Sequence, residues 1–319
     1  MKELHTFPRV ALGLFPTPIQ KLENVSRRFH ANVYLKRDDL TGLGLGGNKV
    51  RKLEFLLADA KAQGAEVVFT TGGAQSNHAM LTAAAANRLG MKPILILKKR
   101  GVTARRGNQL LEHLMGTDVR FMDTDRYDDI YAEMDRVGAE LGVPYYKIPC
   151  GGSNALGSLG YVACAEEIAG QGMHFDHLVC AEGSGGTMAG LALGAKLFLP
   201  GTRVHGMMVD ADPFEEITLR LMREAAALME AELDLSAADF SLRDLCGPGY
   251  AIASPEGSEA VRLLAETEGL FLDPVYTGKA FAGLMQMLTD GTVRPGENVL
   301  FLHSGGAGGL FAVEMEEEE

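Results

Sequence analysis

Lys49 is the residue of this sequence whose position could best support covalent chemistry. It follows two glycines at 46–47 and begins a helical pattern whose apolar residues recur at helical spacing: Leu53, Leu56, Leu57 and Ala60. Because Lys49 and Lys52 fall on this stripe, we expect both ammonium groups to point toward the protein. A desolvated lysine has a lowered pKa and becomes a nucleophile for carbonyl groups, as in Schiff-base enzymes. The same spacing places three charged residues on the outer side of the helix: Arg51, Glu54 and Lys61.

The loop at 183–187 is the second feature with a chemical use. It follows a strand pattern, opens a helical pattern and consists of Gly183, Ser184, Gly185, Gly186 and Thr187. Free backbone N–H groups, two hydroxyls and the positive end of a helix dipole favour a phosphate group. The loop lacks the GK[ST] sequence and so indicates no nucleoside triphosphate; a tight turn with a helix cap is the structural alternative. Together with an inward lysine it indicates pyridoxal phosphate, whose aldehyde needs an amine and whose phosphate needs such a cradle.

A third glycine pattern matches the motif of a different cofactor, but the residues around it do not. Gly42, Gly44 and Gly47 match the GxGxxG sequence of dinucleotide-binding folds. Those folds also have a short turn before the first glycine and an acidic residue at the end of the next strand. Here the segment RDDLT at 37–41 intervenes, and the next strand pattern ends in TTG at 70–72. A nicotinamide cofactor is therefore disfavoured.

The elements that must position these residues alternate along nearly the whole chain. Short β-rich runs followed by longer helical patterns predict the α/β class with mostly parallel sheets. The strand candidates are 33–36, 67–70, 93–97, 118–122, 177–181, 204–209 and 299–303. The helical patterns cover 48–63, 77–90, 105–115, 127–141, 156–171, 186–198, 214–233, 255–268 and 278–289. Since ligands bind after the carboxyl ends of parallel strands, the Gly- and Pro-rich loops are candidate site walls: 42–47, 148–152, 183–186, 247–249 and 305–309.

The composition restricts the partners and the compartment. The 319 residues carry a formal net charge of −12, which argues against nucleic acid as a partner. No apolar stretch approaches the ~18 to 20 residues of a membrane span. The N-terminal sequence has no apolar signal region, so we expect a cytoplasmic protein. The cysteines and histidines show no metal-ligand spacing, which indicates reduced packing cysteines and no metal site.

Six strings carry a resemblance to a known family: GGNKVRKLEFLLADA from Gly46, QSNH from Gln75, GGSNALGSLGY from Gly151, GPGY from Gly247, LDPVYTGKA from Leu272 and HSGGAGGLFA from His303. In order and spacing they resemble the D-cysteine desulfhydrase and 1-aminocyclopropane-1-carboxylate deaminase family. That family has the type II, tryptophan-synthase-β-like fold of pyridoxal phosphate enzymes. The resemblance implies two lobes, each with a mostly parallel sheet flanked by helices. A smaller lobe at 45–157 is inserted into a larger cofactor-binding lobe formed by 1–44 and 158–319, and the expected assembly is a homodimer.

The resemblance also assigns roles to single residues. It makes Lys49 the Schiff-base lysine, and it gives the phosphate to Lys52 and the 183–187 loop. Asn77 matches an asparagine that hydrogen-bonds the phenolic oxygen of the cofactor. Ser76 matches a residue near the carboxylate and α-carbon of a small amino-acid substrate. For Ser76 and Asn77 a helix N-cap is the structural alternative, and capping can coexist with binding.

Further positions concern the substrate side and the departures from the family. Tyr250 and Tyr276 match tyrosines that line the substrate pocket, and Thr277 stands where the deaminase has a glutamate that partners the pyridine nitrogen. Relatives carry an arginine where this chain has Met80, which could remove a charge near the pocket. They carry Ser or Thr where this chain has Glu182. A carboxylate beside a phosphate is unfavourable unless its side chain turns away or finds a cation.

The resemblance implies a lyase that removes the β-substituent and the amino group of its substrate, with Lys49 taking the α-proton. A neutral hydroxyl at Thr277 leaves the pyridine nitrogen largely unprotonated, which favours a good leaving group over carbon–carbon cleavage. We therefore expect D-cysteine to be converted to pyruvate, sulfide and ammonia. L-Cysteate, with sulfite as the leaving group, is the next candidate, followed by ring opening of aminocyclopropane carboxylate. A non-catalytic metabolite-binding protein on the same fold is the alternative of a different class.

Overall fold

The larger of two sheets in this α/β fold has the last strand of the chain near its centre. A computed structural model describes residues 1–315. In spatial order this sheet contains β1 (Ile19–Lys21), β2 (Asn32–Lys36), β10 (Asn298–Leu302), β7 (His177–Glu182), β8 (Arg203–Met208) and β9 (Ser241–Asp244). The β1 and β2 strands pair antiparallel, and the other neighbours pair parallel. The chain therefore returns from its end to place β10 between β2 and β7.

The smaller sheet is parallel throughout. Its spatial order is β5 (Asp118–Met122), β4 (Lys92–Lys98), β3 (Val67–Thr70) and β6 (Tyr145–Lys147). The predicted α/β class with two mostly parallel sheets is thus confirmed. The exact lobe boundaries, at 44/45 and 157/158, stay a prediction.

Helices cover the faces of both sheets, which buries the strands on two sides. Within residues 1–315 they are α1 (Glu23–Phe29), α2 (Lys49–Ala62), α3 (Asn77–Arg88), α4 (Asn108–Leu114), α5 (Tyr127–Leu141), α6 (Ala155–Gly170), α7 (Gly186–Phe198), α8 (Phe214–Leu228), α9 (Pro255–Glu268), α10 (Thr277–Thr289) and α11 (Ala307–Leu310). No helix in this described part of the chain is both long and apolar enough to cross a membrane.

Helix α2, which begins at Lys49, is held from two sides. Its apolar residues, including Leu53 and Leu56, belong to a core cluster that also contains Val68 of the smaller sheet. Its opposite side packs closely on α6, where a Cβ atom at Gly160 would lie 2.5 Å from the carbonyl oxygen of Arg51. Glycine is therefore needed at this contact, and the contact fixes where α2 begins.

The charged side chains of α2 do not follow the sequence prediction. Lys61 is exposed as predicted, but Arg51 and Glu54 are only 2% and 4% exposed. Arg51 donates hydrogen bonds to Asp38, which follows β2, and to Glu167 of α6. The prediction for Arg51 and Glu54 was wrong because helical spacing shows which residues share a face. It does not show that partners from distant segments cover that face.

Candidate active site

The carboxyl ends of strands from both sheets surround one cavity of about 840 Å³, part of which is open to solvent. Its lining residues lie within 72–78 after β3, 98–100 at the end of β4, 181–187 at the end of β7, and 210–212 after β8. The beginning of α2 completes the wall. This is the edge at which parallel α/β folds bind their ligands.

Lys49 is the first residue of α2 and lines the cavity. The chain reaches this point through Gly46, whose φ is +76° and whose Cβ, if present, would overlap the carbonyl oxygen of Asp39. Within residues 1–315 the ammonium group has no hydrogen-bond or ion-pair partner. Burial lowers the pKa of Lys49, and the acidic groups of Cys150 and Glu182 offset part of this effect. The cavity therefore contains an uncommitted amine that deprotonates more readily than an exposed lysine.

Lys52 lies one turn further along α2 and is fully buried. Its Nζ donates to the carbonyl oxygen of Gly151 at 3.1 Å and to Oγ of Ser153 at 3.2 Å. Ser153 Oγ in turn accepts the backbone N–H of Gly186 at 3.2 Å. Burial lowers the pKa of Lys52 well below its usual range, and the positive charge of Lys49 lowers it further. Through Ser153, Lys52 is therefore linked to the beginning of α7.

The loop at 183–187 connects β7 to α7 and depends on its glycines. Gly185 has a φ of +86°, a left-handed conformation that favours glycine. A Cβ atom at Gly186 would lie 2.8 Å from Nζ of Lys52 and 2.7 Å from Oγ of Ser153. Glycine thus keeps free the space beside a helix N-terminus and a buried lysine. Backbone N–H groups, positive charge and open space fit a phosphate group.

Glu182 ends β7 and turns its carboxylate onto this loop. Its Oε1 accepts the backbone N–H groups of Ser184 at 3.1 Å and Gly185 at 2.5 Å. The side chain is 1% exposed. Burial raises the pKa of Glu182, whereas the hydrogen bond from Gly185 and the charge of Lys52 oppose this shift. The sequence indicated that this carboxylate must turn away or pair with a cation, but it binds the loop backbone instead.

Ser76 and Asn77 begin α3 at the cavity wall. Ser76 is the N-cap, and its Oγ accepts the backbone N–H of Ala79 at 3.2 Å. The amide oxygen of Asn77 accepts a hydrogen bond from Nδ2 of Asn108 at 2.7 Å. This bond orients the amide so that its NH₂ group remains a donor for a ligand. Ser76 therefore caps helix α3, as the structural alternative predicted, and it also lines the cavity.

Tyr250 and Tyr276 line the cavity with their hydroxyl groups hydrogen-bonded to each other. Burial raises the pKa of both phenols, so both are neutral near pH 7. The guanidinium of Arg100 lies 4.8 Å from the ring centroid of Tyr250 and forms an ion pair with Asp210 at 2.9 Å. Since Arg100 follows β4 and Asp210 follows β8, this ion pair joins the two sheets beside the tyrosines.

Two positions singled out in the sequence do not line the cavity. Thr277 is fully buried, and its hydroxyl donates to Asp273 at 2.7 Å and accepts the backbone N–H of the same residue at 2.8 Å. Met80 is packed into the core cluster that contains Val68 and does not line the cavity, and its expected effect on the charge of the pocket stays a prediction. Ser304, which follows β10, lines the cavity with a neutral hydroxyl and was not predicted.

Other lining residues were also missed. The charged ones are Lys98, Arg100, Asp210 and Asp212. They could have been predicted from their position at or just after the carboxyl ends of β4 and β8, but they lie outside the glycine clusters. Cys150, assigned to packing from the sequence, lines the cavity, and its sulfur accepts a hydrogen bond from the hydroxyl of Tyr127 at 3.2 Å. Burial raises the pKa of Cys150, so the thiol keeps its proton near pH 7.

Comparison with known proteins decides the class of this cavity. Residues 10–305 match the family described as "Pyridoxal-phosphate dependent enzyme". The chain belongs to this family. The predicted cofactor is therefore confirmed, as is the prediction of a pyridoxal-phosphate-dependent lyase at the level of the family. A non-catalytic binding protein is correspondingly disfavoured.

Relatives of similar length support this placement. A protein from Pyrococcus horikoshii named "Putative 1-aminocyclopropane-1-carboxylate deaminase" is 43% identical over 316 residues, covering 97% of this chain and 94% of the relative. A protein of the same name from Thermotoga maritima is 42% identical, covering 95% of this chain and 98% of the relative. The crystal structure of an "ACC deaminase homologue" has a TM-score of 0.90 at 42% identity and covers 97% of this chain and 94% of that chain. The family resemblance and the type II fold predicted from the sequence are thereby confirmed.

Proposed function

We propose that this enzyme catalyses β-elimination from a small amino acid, preferentially D-cysteine, and releases pyruvate, sulfide and ammonia. Lys49 would hold the aldehyde carbon of the cofactor, Lys52 and the 183–187 loop its phosphate, and Asn77 its phenolic oxygen. The cavity fits these tasks because it combines an uncommitted amine, a glycine-lined helix N-terminus and an amide NH₂ donor. When bound, the cofactor supplies the electron sink for the α-carbon.

The residues around Lys49 support a role for this lysine in proton transfer. Its lowered pKa increases the fraction of neutral amine, which can accept the α-proton of a substrate held beside it. The substrate carboxylate would lie at the N-terminus of α3, where Ser76 and the helix dipole favour a negative charge. With its carboxylate bound by Ser76 and the helix dipole, the substrate would have its α-carbon beside Lys49.

The preference for a sulfur leaving group rests mainly on the residue at position 277. Thr277 occupies the position of the deaminase glutamate and carries no charge. Among residues 1–315 the carboxylates that line the cavity are those of Glu182, Asp210 and Asp212. The first is bound to the phosphate loop and the second to Arg100. Position 277 therefore provides no carboxylate that could pair with a pyridinium nitrogen. A cofactor without this partner is a weaker electron sink, which suits a stable leaving group.

Tyr250 and Tyr276 complete the proposal by assisting the leaving group. A neutral phenol with a raised pKa donates a hydrogen bond to a developing thiolate without losing its own proton early. Because one hydroxyl hydrogen joins the two tyrosines, the other remains for the substrate.

Two other substrates have specific support. The relatives named as deaminases support opening of the aminocyclopropane ring. Lys98 and Arg100 at the cavity support a sulfonate such as that of L-cysteate. However, Arg100 is paired with Asp210, and Nζ of Lys98 donates to the carbonyl oxygen of Asp125 and lies 3.6 Å from the ring centroid of Tyr127. These commitments rank cysteate behind D-cysteine.

Product analysis on the holoenzyme tests the proposal. D- and L-cysteine, D- and L-cysteate and aminocyclopropane carboxylate are compared by kcat/KM, with sulfide, sulfite, 2-oxo acid and ammonia measured separately. We expect D-cysteine to be fastest, with equimolar pyruvate, sulfide and ammonia. Lys49→Ala should abolish turnover above that of free cofactor, and Lys61→Ala on the exposed side of α2 should not. Fastest conversion of the cyclopropane to 2-oxobutanoate, or of cysteate with sulfite release, would replace the substrate assignment.

A further inference from the structure

The carboxylate of Glu182 occupies backbone donors of the loop that suits a phosphate. One of its oxygens accepts the N–H groups of Ser184 and Gly185. The other, Oε2, is buried and has no hydrogen-bond partner among residues 1–315. A short loop with two N–H groups directed at one anionic oxygen is an anion-binding nest, and here a side chain of the same chain fills it.

The donors of this loop are limited in number. Each backbone N–H carries one hydrogen, and the N–H of Gly186 is directed to Ser153 Oγ. With Ser184 and Gly185 bonded to Glu182, three successive N–H groups already have acceptors inside the protein. A phosphate that binds the N–H groups of Ser184 and Gly185 must take over their bonds to Glu182, so at these two residues the carboxylate and the phosphate use the same donors.

The charges beside Glu182 do not hold its carboxylate independently of the loop. Lys49 and Lys52 both favour its ionised form through space. Neither lysine forms an ion pair with it within residues 1–315, since Lys49 is uncommitted and Lys52 donates to Gly151 and Ser153. The hydrogen bonds from the loop are therefore the direct contacts that hold the carboxylate, and a stronger acceptor can displace it.

We propose that Glu182 is an internal competitor of the cofactor phosphate and sets the affinity of this chain for pyridoxal phosphate. Binding of the phosphate requires the carboxylate to release Ser184 and Gly185. Without this release two negative groups would share one buried nest. The proposal depends on the cofactor of the family and is independent of which amino acid is the substrate.

Two substitutions separate the charge of Glu182 from its role as an acceptor. Glu182→Gln keeps an oxygen that can bind the loop N–H groups but removes the negative charge. Glu182→Ala removes both. The matched control is Glu112→Gln, which changes a buried glutamate of α4 that does not line the cavity.

The affinity is measured on the full chain after removal of the cofactor, with pyridoxal phosphate and with inorganic phosphate as separate probes. Inorganic phosphate reports on the loop alone because it cannot react with Lys49. Both Glu182 variants should bind each probe about tenfold more tightly than the wild type, because repulsion at a buried site is weakly screened. Glu112→Gln should leave both dissociation constants unchanged.

Thermal unfolding at increasing phosphate concentrations provides a second measurement. It can also be used if a variant is less stable than the wild type. Phosphate should raise the midpoint temperature of the Glu182 variants more than that of the wild type, because tighter binding gives a larger shift at equal concentration. Unchanged or weaker binding of both probes by Glu182→Gln would overturn the proposal. It would show that the carboxylate supports the loop in its phosphate-binding form.

Discussion

The phenol groups of Tyr250 and Tyr276 form one hydrogen-bonded unit, although they come from separate parts of the chain. Tyr250 follows the turn at 247–249, and Tyr276 is the residue before α10. Their rings meet edge to face with centroids 5.8 Å apart. The pair has two hydroxyl hydrogens, of which one joins the two oxygens and one is free for a ligand in the cavity.

The tyrosine pair predicts non-additive kinetics. Tyr250→Phe and Tyr276→Phe should each lower kcat/KM by about 10- to 100-fold, as expected for loss of a positioned proton donor. The double variant should lose little more than either single variant, because each substitution already breaks the shared unit. Tyr34→Phe, in β2, serves as the control. Effects that multiply in the double variant would show that the two phenols act independently.

Lys49 should be the residue that binds the cofactor covalently. Borohydride reduction of the holoenzyme followed by peptide mapping is expected to locate the pyridoxyl group on Lys49, since its amine is uncommitted. Lys52→Gln should retain the adduct on Lys49 but release the cofactor more readily, because the amine of Lys52 is a hydrogen-bond donor beside the loop. An adduct on Lys52 in the wild type would contradict this assignment.

Gly186→Ala should weaken cofactor binding by about tenfold or more while it changes the free energy of unfolding by only about 1 kcal/mol. The added Cβ would enter the space beside Lys52 and Ser153 without requiring a strained φ. Gly185→Val is a less selective test, since its Cβ would lie 2.5 Å from Cγ2 of Ile217 in addition to the positive φ. Gly170→Ala, with no heavy atom within 4 Å of the added Cβ, is the control. Dissociation constants and urea unfolding give the two measurements. Equal cofactor affinity in a folded Gly186→Ala variant would show that the cofactor does not need the space beside Lys52 and Ser153.

Glu112 should make the protein less stable as the pH rises. Its carboxyl group is buried, and one oxygen accepts a hydrogen bond from Gln109 at 2.7 Å. Burial raises its pKa from 4.5 to about 8, so between these values the folded chain retains a proton that the unfolded chain has lost. This contribution is fully present below about pH 4.5 and is lost as the pH rises to about 8.

Substitution of Glu112 isolates this effect. In Glu112→Gln the decrease of stability between pH 5 and pH 8 should be smaller by about 2–4 kcal/mol, because each unit of difference between the folded and unfolded pKa corresponds to ~1.4 kcal/mol. Urea unfolding at several pH values checks the prediction, with the exposed Glu66→Gln as the control. A variant whose stability depends on pH as the wild type does would show that Glu112 is ionised in the folded chain.

The sequence predicted the long helices best and the edges of the sheets worst. Periodicity placed the helices 127–141, 186–198 and 255–268 at the bounds that the structure has. It missed β1 and β9, which have three or four residues and lie at the two edges of the larger sheet. Such short edge strands bury few side chains and leave a weak pattern. The place of β10 between β2 and β7 depends on pairing between distant segments, which no local pattern contains.

The candidate site shows the same limit. The inward direction of Lys49 follows from helical spacing, because the stripe is local. The sequence does not determine the direction of the Glu182 side chain, because a carboxylate after a strand can face solvent, a cation or its own loop. Arg100 and Asp210 resemble ordinary surface charges until the two sheets bring them together.

The central place of β10 has a consequence for biosynthesis. Strands β2 and β7 have no partner on their facing edges until the ribosome has delivered residues 298–302, whereas the smaller sheet is complete at Lys147. Between the synthesis of β7 and that of β10 the nascent chain therefore carries two unpaired parallel edges, which are typical sites of misassociation. A chain that stalls before Asn298 lacks the strand that joins β2 to β7 and cannot complete the larger sheet.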